Sequence, residues 1–258
     1  MDRREVKGLN ALRHGISRRL RTYRVGTEPV DIWKLASPLR YDVVVRAEYI
    51  SFLREHLDLF ESDLDAYLLA SEALPYFIWF RDVASRFQRG YDRNDEASLR
   101  AAFAERVHRT TELFRRFQAE GFNPRYPVDL RAGTPGAATL TGKRLADRLY
   151  PGDGCHRLAL VLSTGQSLLP PEWYRIRNDP LDTPLDNTHL LVRALELSRE
   201  QYSEFISRGY ADKVFADPGQ LAAHVARTDP SRAAEVEQVL ALDASIWDAA
   251  PERGGRAP

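Results

Sequence analysis

Several things are scarce in this chain. It has one cysteine, Cys155, so no internal disulfide can form, which suits a reducing compartment, the cytoplasm. No run approaches the roughly 18 consecutive apolar residues that span a bilayer, which argues against a membrane protein. Residues 1–22 are basic without an apolar stretch and do not read as a secretory signal. Excess charge of either sign is missing: Lys+Arg 37 balance Asp+Glu 37, which argues against a surface that tracks a phosphate backbone throughout. Lysine itself is rare, with Lys7, Lys34, Lys143 and Lys213 the only ones. Apolar residues are not scarce. At 43% of 258 residues they suffice for a sizeable core and exclude a wholly disordered chain.

The periodicity predicts an α+β domain. At the start, Arg3, Arg4, Lys7, Arg13, Arg18, Arg19, Arg21 and Arg24 accompany Leu9, Leu12, Ile16 and Leu20 at helical spacing. Residues 1–28 therefore read as a basic amphipathic arm, fitted for solvent or for a nucleic-acid or acidic partner. A short strand is expected at 29–35, then a helix to Leu57 with Asp42 at its N-cap. Residues 63–88 read as helices broken near Pro75, with Tyr76, Phe77, Trp79, Phe80 and Phe87 as core. Asn94 or Asp95 caps a helix whose stripe runs Leu99, Phe103, Val107, Thr110, Phe114, Phe117 and which stops at Gly121.

Beyond Asn123-Pro124 the pattern changes. Strands are expected at 126–131, 144–150 and 173–177, with a tight turn at 151–154 before an apolar helix from Cys155 that Gly165 ends. Asp186 or Asn187 then caps one long helix through Leu191, Leu195, Tyr202 and Phe205 to Gly209. Helices at 218–226 and 231–242 and a disordered tail at 251–258 complete the expectation. The organisation is thus a core at 29–180 with a small mixed sheet, a helical insertion at about 43–120, and a C-terminal helical region at 181–250.

Chemistry concentrates at Gly152-Asp153-Gly154-Cys155-His156-Arg157. A glycine turn entering a helix brings backbone N–H groups and the positive end of the helix dipole to one place. His156 and Arg157 add donors for phosphate oxygens, and Cys155 occupies a position where thiols serve as nucleophiles. Ordinary turn chemistry is the plain alternative. Asp42 precedes a helix, where an Asp is ordinarily a cap. Arg46, one turn after Asp42, could clamp an anionic substrate or simply face solvent.

Gly154-Cys155-His156-Arg157 at the head of an apolar helix resembles the signature of the ParB/sulfiredoxin superfamily, whose sulfiredoxins carry the same four residues. Leu113 to Gly121 followed by Phe122 to Arg131 is similar to that superfamily's helix–glycine–strand unit. Tyr41-Asp42-Val43-Val44 and Gly121-Phe122 look like members with a helical insertion. The likeness covers about half the chain, 29–46 and 113–177. It implies that Gly152, Gly154, His156 and Arg157 hold the terminal phosphates of ATP or ADP, or of CTP, with magnesium between them. By this resemblance the activity is a kinase reaction on a small hydroxylated metabolite, such as a free hydroxy amino acid or a sugar, with Asp42 or Asp153 as catalytic carboxylate and Arg46 on the substrate.

Two other functions follow from the same resemblance: a ParB-like nucleotide or DNA-binding module, and a sulfiredoxin-like thiol enzyme using Cys155. The first is disfavoured by the single long helix expected after 187, where ParB proteins carry a helix-turn-helix. The size of the insertion departs from compact sulfiredoxins. Other motifs fail: Gly136 to Lys143 has the wrong spacing for a Walker A loop and Arg144 in place of Ser/Thr. No Cys/His set has zinc spacing, and Gly-x-Ser-x-Gly is absent.

Overall fold

The computed structural model describes residues 22–84, 91–92, 94–134, 136–144, 148–194 and 197–248. The arm through residue 21, Phe87 and the tail at 251–258 lie outside the described residues.

A four-stranded mixed sheet is built from Tyr23–Val25 (β1), Val128–Gly133 (β3), Leu149–Asp153 (β4) and Tyr174–Leu181 (β6), in the order β1-β6-β3-β4. β3 and β6 are parallel, with Leu130 opposite Ile176; β4 and β1 join antiparallel at the two edges. Val30–Asp31 (β2) and Leu168–Leu169 (β5) form a separate two-stranded ladder. On the central strand Val128 and Leu130 are fully buried. The mixed α+β architecture matches expectation, but its details differ. β1 belongs to the sheet, so residues 23–25 are not part of a free arm.

Helices supply most of the chain: Ile32–Ala36 (α1), Asp42–Glu55 (α2), Leu57–Ser62 (α3), Leu64–Glu72 (α4), Pro75–Ile78 (α5), Glu96–Glu120 (α6), Cys155–Ser163 (α7), Asn187–Arg193 (α8), Arg199–Tyr210 (α9), Pro218–Thr228 (α10) and Pro230–Asp248 (α11). A π-helical turn, Trp79–Val83, extends α5. None of the described helices is long and apolar enough to cross a membrane.

α6 follows its sequence pattern closely. Asp95 accepts from the Ala97 N–H at the start, and Leu99, Phe103, Val107 and Phe114 are buried. Gly121, at φ +72°, ends the helix where a side chain would be strained. Phe103 meets Phe77 at 4.9 Å and Phe80 at 5.4 Å between ring centroids, so the aromatics of this region are core. The 29–35 segment is corrected: only Val30–Asp31 is extended. The Asp31 carboxylate accepts from Trp33 N–H at 2.8 Å and turns the chain into α1.

The long helix expected from 187 is two helices. Asp186 caps α8 by accepting from His189 N–H, and Ser198 with Gln201 forms a reciprocal capping box at the start of α9. The argument against a ParB-like reader that rested on one continuous helix therefore falls. α9 sinks Tyr202, Phe205, Ile206 and Tyr210 into the core and leaves Arg199, Glu200, Gln201 and Glu204 exposed. Gly209 lies within α9 rather than ending it.

One buried ionic cluster ties these elements together. Lys143, fully buried, places Nζ 2.8 Å from an Asp186 oxygen and 2.7 Å from an Asp243 oxygen. Tyr202 donates to Asp243, and His189 Nδ1 lies 3.0 Å from the other Asp243 oxygen. The failed Walker-like segment thus ends in a lysine that fastens the 139–143 loop to α8, α9 and α11.

Candidate functional site

The glycine turn before α7 is tighter than its sequence suggests. Pro151, Gly152 and Asp153 continue β4, and only Gly154 turns, at φ +96°. Gly152 lies under the Arg131 side chain, where a Cβ would come within 3.0 Å of Arg131 Cδ. It serves strand packing and does not line the cavity beside the turn, contrary to its expected place in a phosphate loop. The strand expected at 144–150 is likewise later, running Leu149–Asp153.

α7 starts without a side-chain cap bond from Gly154, which leaves the N–H groups of its first turn without that partner. Asp153 Oδ1 accepts from Gly154 N–H at 2.7 Å, and its carboxylate is largely exposed, 4.0 Å from Arg157. Arg157 folds back over Gly154, where a Cβ would meet its Nη2 at 2.9 Å. Its Nη1 donates to the Tyr126 and Pro127 carbonyls. One edge of the guanidinium is therefore structural, pinning the 126–127 loop, while the Nε and Nη2 edge lies beside Gly154.

Next to this turn is a cavity of about 460 Å³. Its lining includes Asp153, Gly154, Cys155, His156 and Arg157 from the turn, the aromatic residues Phe117, Phe122 and Tyr126, and Arg116 from α6. Tyr126 is 67% exposed at the rim.

Behind the turn, α2 packs along α7 and brings Asp42 and Arg46 to the same place. Asp42 is completely buried. Arg40 grips both its oxygens, at 2.8 and 3.0 Å, and Arg46 donates to the same carboxylate. Burial alone would raise the Asp42 carboxyl, but the charges of Arg40 and Arg46 and hydrogen bonds from Arg40 and Asn187 hold it far below the usual carboxylate range. The capping role expected for Asp42 is corrected: it is the first helical residue and makes no cap bond. Its role as proton acceptor is also corrected, because its oxygens are fully occupied and a carboxylate held so acidic is a poor base.

Arg40 also reaches Cys155, with Nη2 2.9 Å from Sγ. Burial opposes the Arg40 charge, but Asp42 and the Cys155 sulfur outweigh it and raise its basicity further. Arg46 lies 4.1 Å above the Trp79 ring, its buried Nε without a hydrogen-bond partner among the described residues. It does not face solvent. Two guanidiniums share one carboxylate here, so the cluster carries net positive charge directly behind the α7 turn.

His156 feels that charge. Burial, with Arg46 and Arg106, then Arg157, holds its imidazole well below its usual range against the opposing pull of Asp42. The ring is neutral near pH 7, and its buried Nε2 has no partner among the described residues. As a neutral imidazole it is a weaker phosphate holder than expected.

The structure therefore gathers Asp42, Arg46, Cys155, His156, Arg157 and Asp153 around one turn and leaves Gly152 aside. Sequence reasoning missed Arg40, Arg106 and Trp79. Arg40 has a signal in its spacing, Arg-x-Asp, whereas its contact with Cys155 spans 115 positions. Among the described residues no group of three or more His, Cys, Asp or Glu could hold a metal ion. No protein-family model, curated protein or solved structure matches this chain.

Proposed function

We propose that the protein is a nucleotide-dependent phosphotransferase with a ParB/sulfiredoxin-like core, acting in the cytoplasm on a small hydroxylated metabolite. The observation that carries this reading is the gathering of guanidiniums about the uncapped start of α7. Arg40 and Arg46 outweigh Asp42 behind it, and Arg157 lines a cavity of about 460 Å³ beside it. A polyanion placed there gains from the dipole, the amides and the guanidiniums together. Phe117, Phe122 and Tyr126 in the same lining suit a planar group such as the base of ATP, ADP or CTP.

The exposed Asp153 would be the carboxylate that holds magnesium brought with the nucleotide, and the ion would supply neutralisation of phosphate charge; such ions commonly take one or two carboxylates plus substrate oxygens. Phosphoryl transfer is chiefly positioning and charge neutralisation. In this reading His156, Arg157 and the Gly154–Cys155 backbone position the terminal phosphates, and Asp42 anchors the two arginines. The test is transfer of labelled terminal phosphate from ATP or ADP to a panel of hydroxy amino acids and sugars. A labelled product lost in Arg157→Ala supports the proposal, and a panel without product opposes it.

One observation favours a second reading. The Arg40 guanidinium donates to Cys155 Sγ, which borders the same cavity, an arrangement that also suits a sulfiredoxin-like thiol enzyme. Cys155→Ser separates the two: the phosphotransferase keeps its turnover and the thiol enzyme loses it while still binding nucleotide.

A further inference from the structure

The three aromatic rings in the lining of the cavity beside the α7 turn are not equally free. Phe122 is buried and lies nearly parallel to Trp173, with ring centroids 4.5 Å apart, so one of its faces is taken. Phe117 is half-buried and packs against the hydrophobic core. Tyr126 is largely exposed. Among the described residues its ring meets no other ring and its hydroxyl has no hydrogen-bond partner.

A single exposed aromatic is ordinary on a protein surface, but the backbone of Tyr126 is held from both sides. Its N–H donates to the Asn123 carbonyl at 3.1 Å, and the Asn123 side chain accepts from Arg125 N–H at 3.0 Å, which closes the turn at 123–126. Its carbonyl accepts from Arg157 Nη1, which also donates to the Pro127 carbonyl at 2.9 Å. Arg157 lines the same cavity and lies over Gly154 at the start of α7. One guanidinium therefore joins the turn that would seat phosphates to the turn that carries the free ring. A ring on a braced backbone has less freedom to lose when a flat ligand stacks on it, which favours binding.

Resting on the phosphotransferase reading, we propose that Tyr126, of these three rings, is the platform on which the nucleotide base stacks, and that Arg157 fixes its place relative to the phosphates. The phosphate donor is then a nucleotide. Inorganic triphosphate or pyrophosphate is a poor substitute, because it reaches the turn and not the ring.

Calorimetry with magnesium present throughout tests this. ATP, ADP and CTP are titrated beside tripolyphosphate and pyrophosphate, which carry the same phosphates without a nucleoside, into the parent chain, Tyr126→Ala and Tyr126→Phe. The parent should bind its best nucleotide at least about fivefold more tightly than the inorganic counterpart, the lower end of what one stacked base contributes. Tyr126→Ala should remove that margin, and Tyr126→Phe, which keeps the ring, should retain it. In protein with ¹³C-labelled tyrosine rings, the signal missing from Tyr126→Phe should shift with the nucleotide and stay in place with the inorganic ligand. No margin in the parent, an undiminished margin in Tyr126→Ala, its loss in Tyr126→Phe, or a Tyr126 signal that ignores the nucleotide or follows both ligands alike each overturn the platform. Inorganic ligands bound as tightly as nucleotides defeat the platform alone and leave the phosphate seat standing, whereas binding of none of the five defeats the reading beneath it.

Discussion

Arg40 Nη2 lies 2.9 Å from Cys155 Sγ, while the same guanidinium grips Asp42 with Nε and Nη2. One arginine thus fastens the start of α2 to the start of α7, and the glycine turn is held from behind by an ion cluster that has more positive than negative charge. That arrangement ties the fold to the proposed anion site, and it sets the effects of substitution.

Asp42→Asn removes the carboxylate that the Arg40 and Arg46 guanidiniums share. Breaking a buried pair by removing one partner typically costs about 3–5 kcal/mol, so the denaturation midpoint should fall sharply. A variant as stable as the parent, with only turnover lost, would return Asp42 to the role of catalytic base.

Lys143→Met leaves Asp186 and Asp243 buried without their cation, and a loss of roughly 3 kcal/mol or more in chemical denaturation is expected. A neutral outcome would mean that the cluster is ornamental to stability.

His156 gives the protein an acid sensitivity of predictable sign. Its folded-state affinity for protons lies well below that of the unfolded chain, so its contribution is fully present above the unfolded value of about 6.5 and is lost as pH falls below it. His156→Gln should flatten the decline in melting temperature on acidification below about pH 6.5. An unaltered slope would show that the ring is charged or exposed.

Gly154→Ala meets two obstacles: φ +96° and a Cβ 2.9 Å from Arg157 Nη2. Non-glycine residues in such backbone regions cost about 1–3 kcal/mol, and Arg157 must also give way over the turn. Lower stability together with weaker phosphate binding is expected, checked by denaturation and by calorimetry with inorganic pyrophosphate.

How much of this was legible in sequence varies by element. α6 was readable because a 3.6-residue stripe from Leu99 to Phe114 lies between an aspartate cap and a glycine stop, all local signals. The start of α7 was readable because Gly154 and Gly165 bracket a short apolar run. The split between α8 and α9 was overlooked because the apolar period runs on through both, although Ser198-x-x-Gln201 is a capping-box pattern. α1 was missed for a different reason: five residues are too few to show a helical period, and one aspartate side chain decides the turn. In the candidate site, residues 153–157 lie together at one turn because they are consecutive, but the surroundings of Asp42 and Gly152 depended on partners distant in sequence. Arg40 saturates Asp42 only once α2 packs along α7, and Arg131 covers Gly152 only once β3 pairs with β4.

The central claim is that the start of α7 seats a nucleotide's phosphates, and thermal denaturation with magnesium and a panel of ATP, ADP and CTP tests it most directly. The account predicts a rise in melting temperature with one of them, corresponding to about 2.7 kcal/mol at one hundred times Kd, and its disappearance in Arg157→Ala. A melting temperature indifferent to all three nucleotides would contradict it.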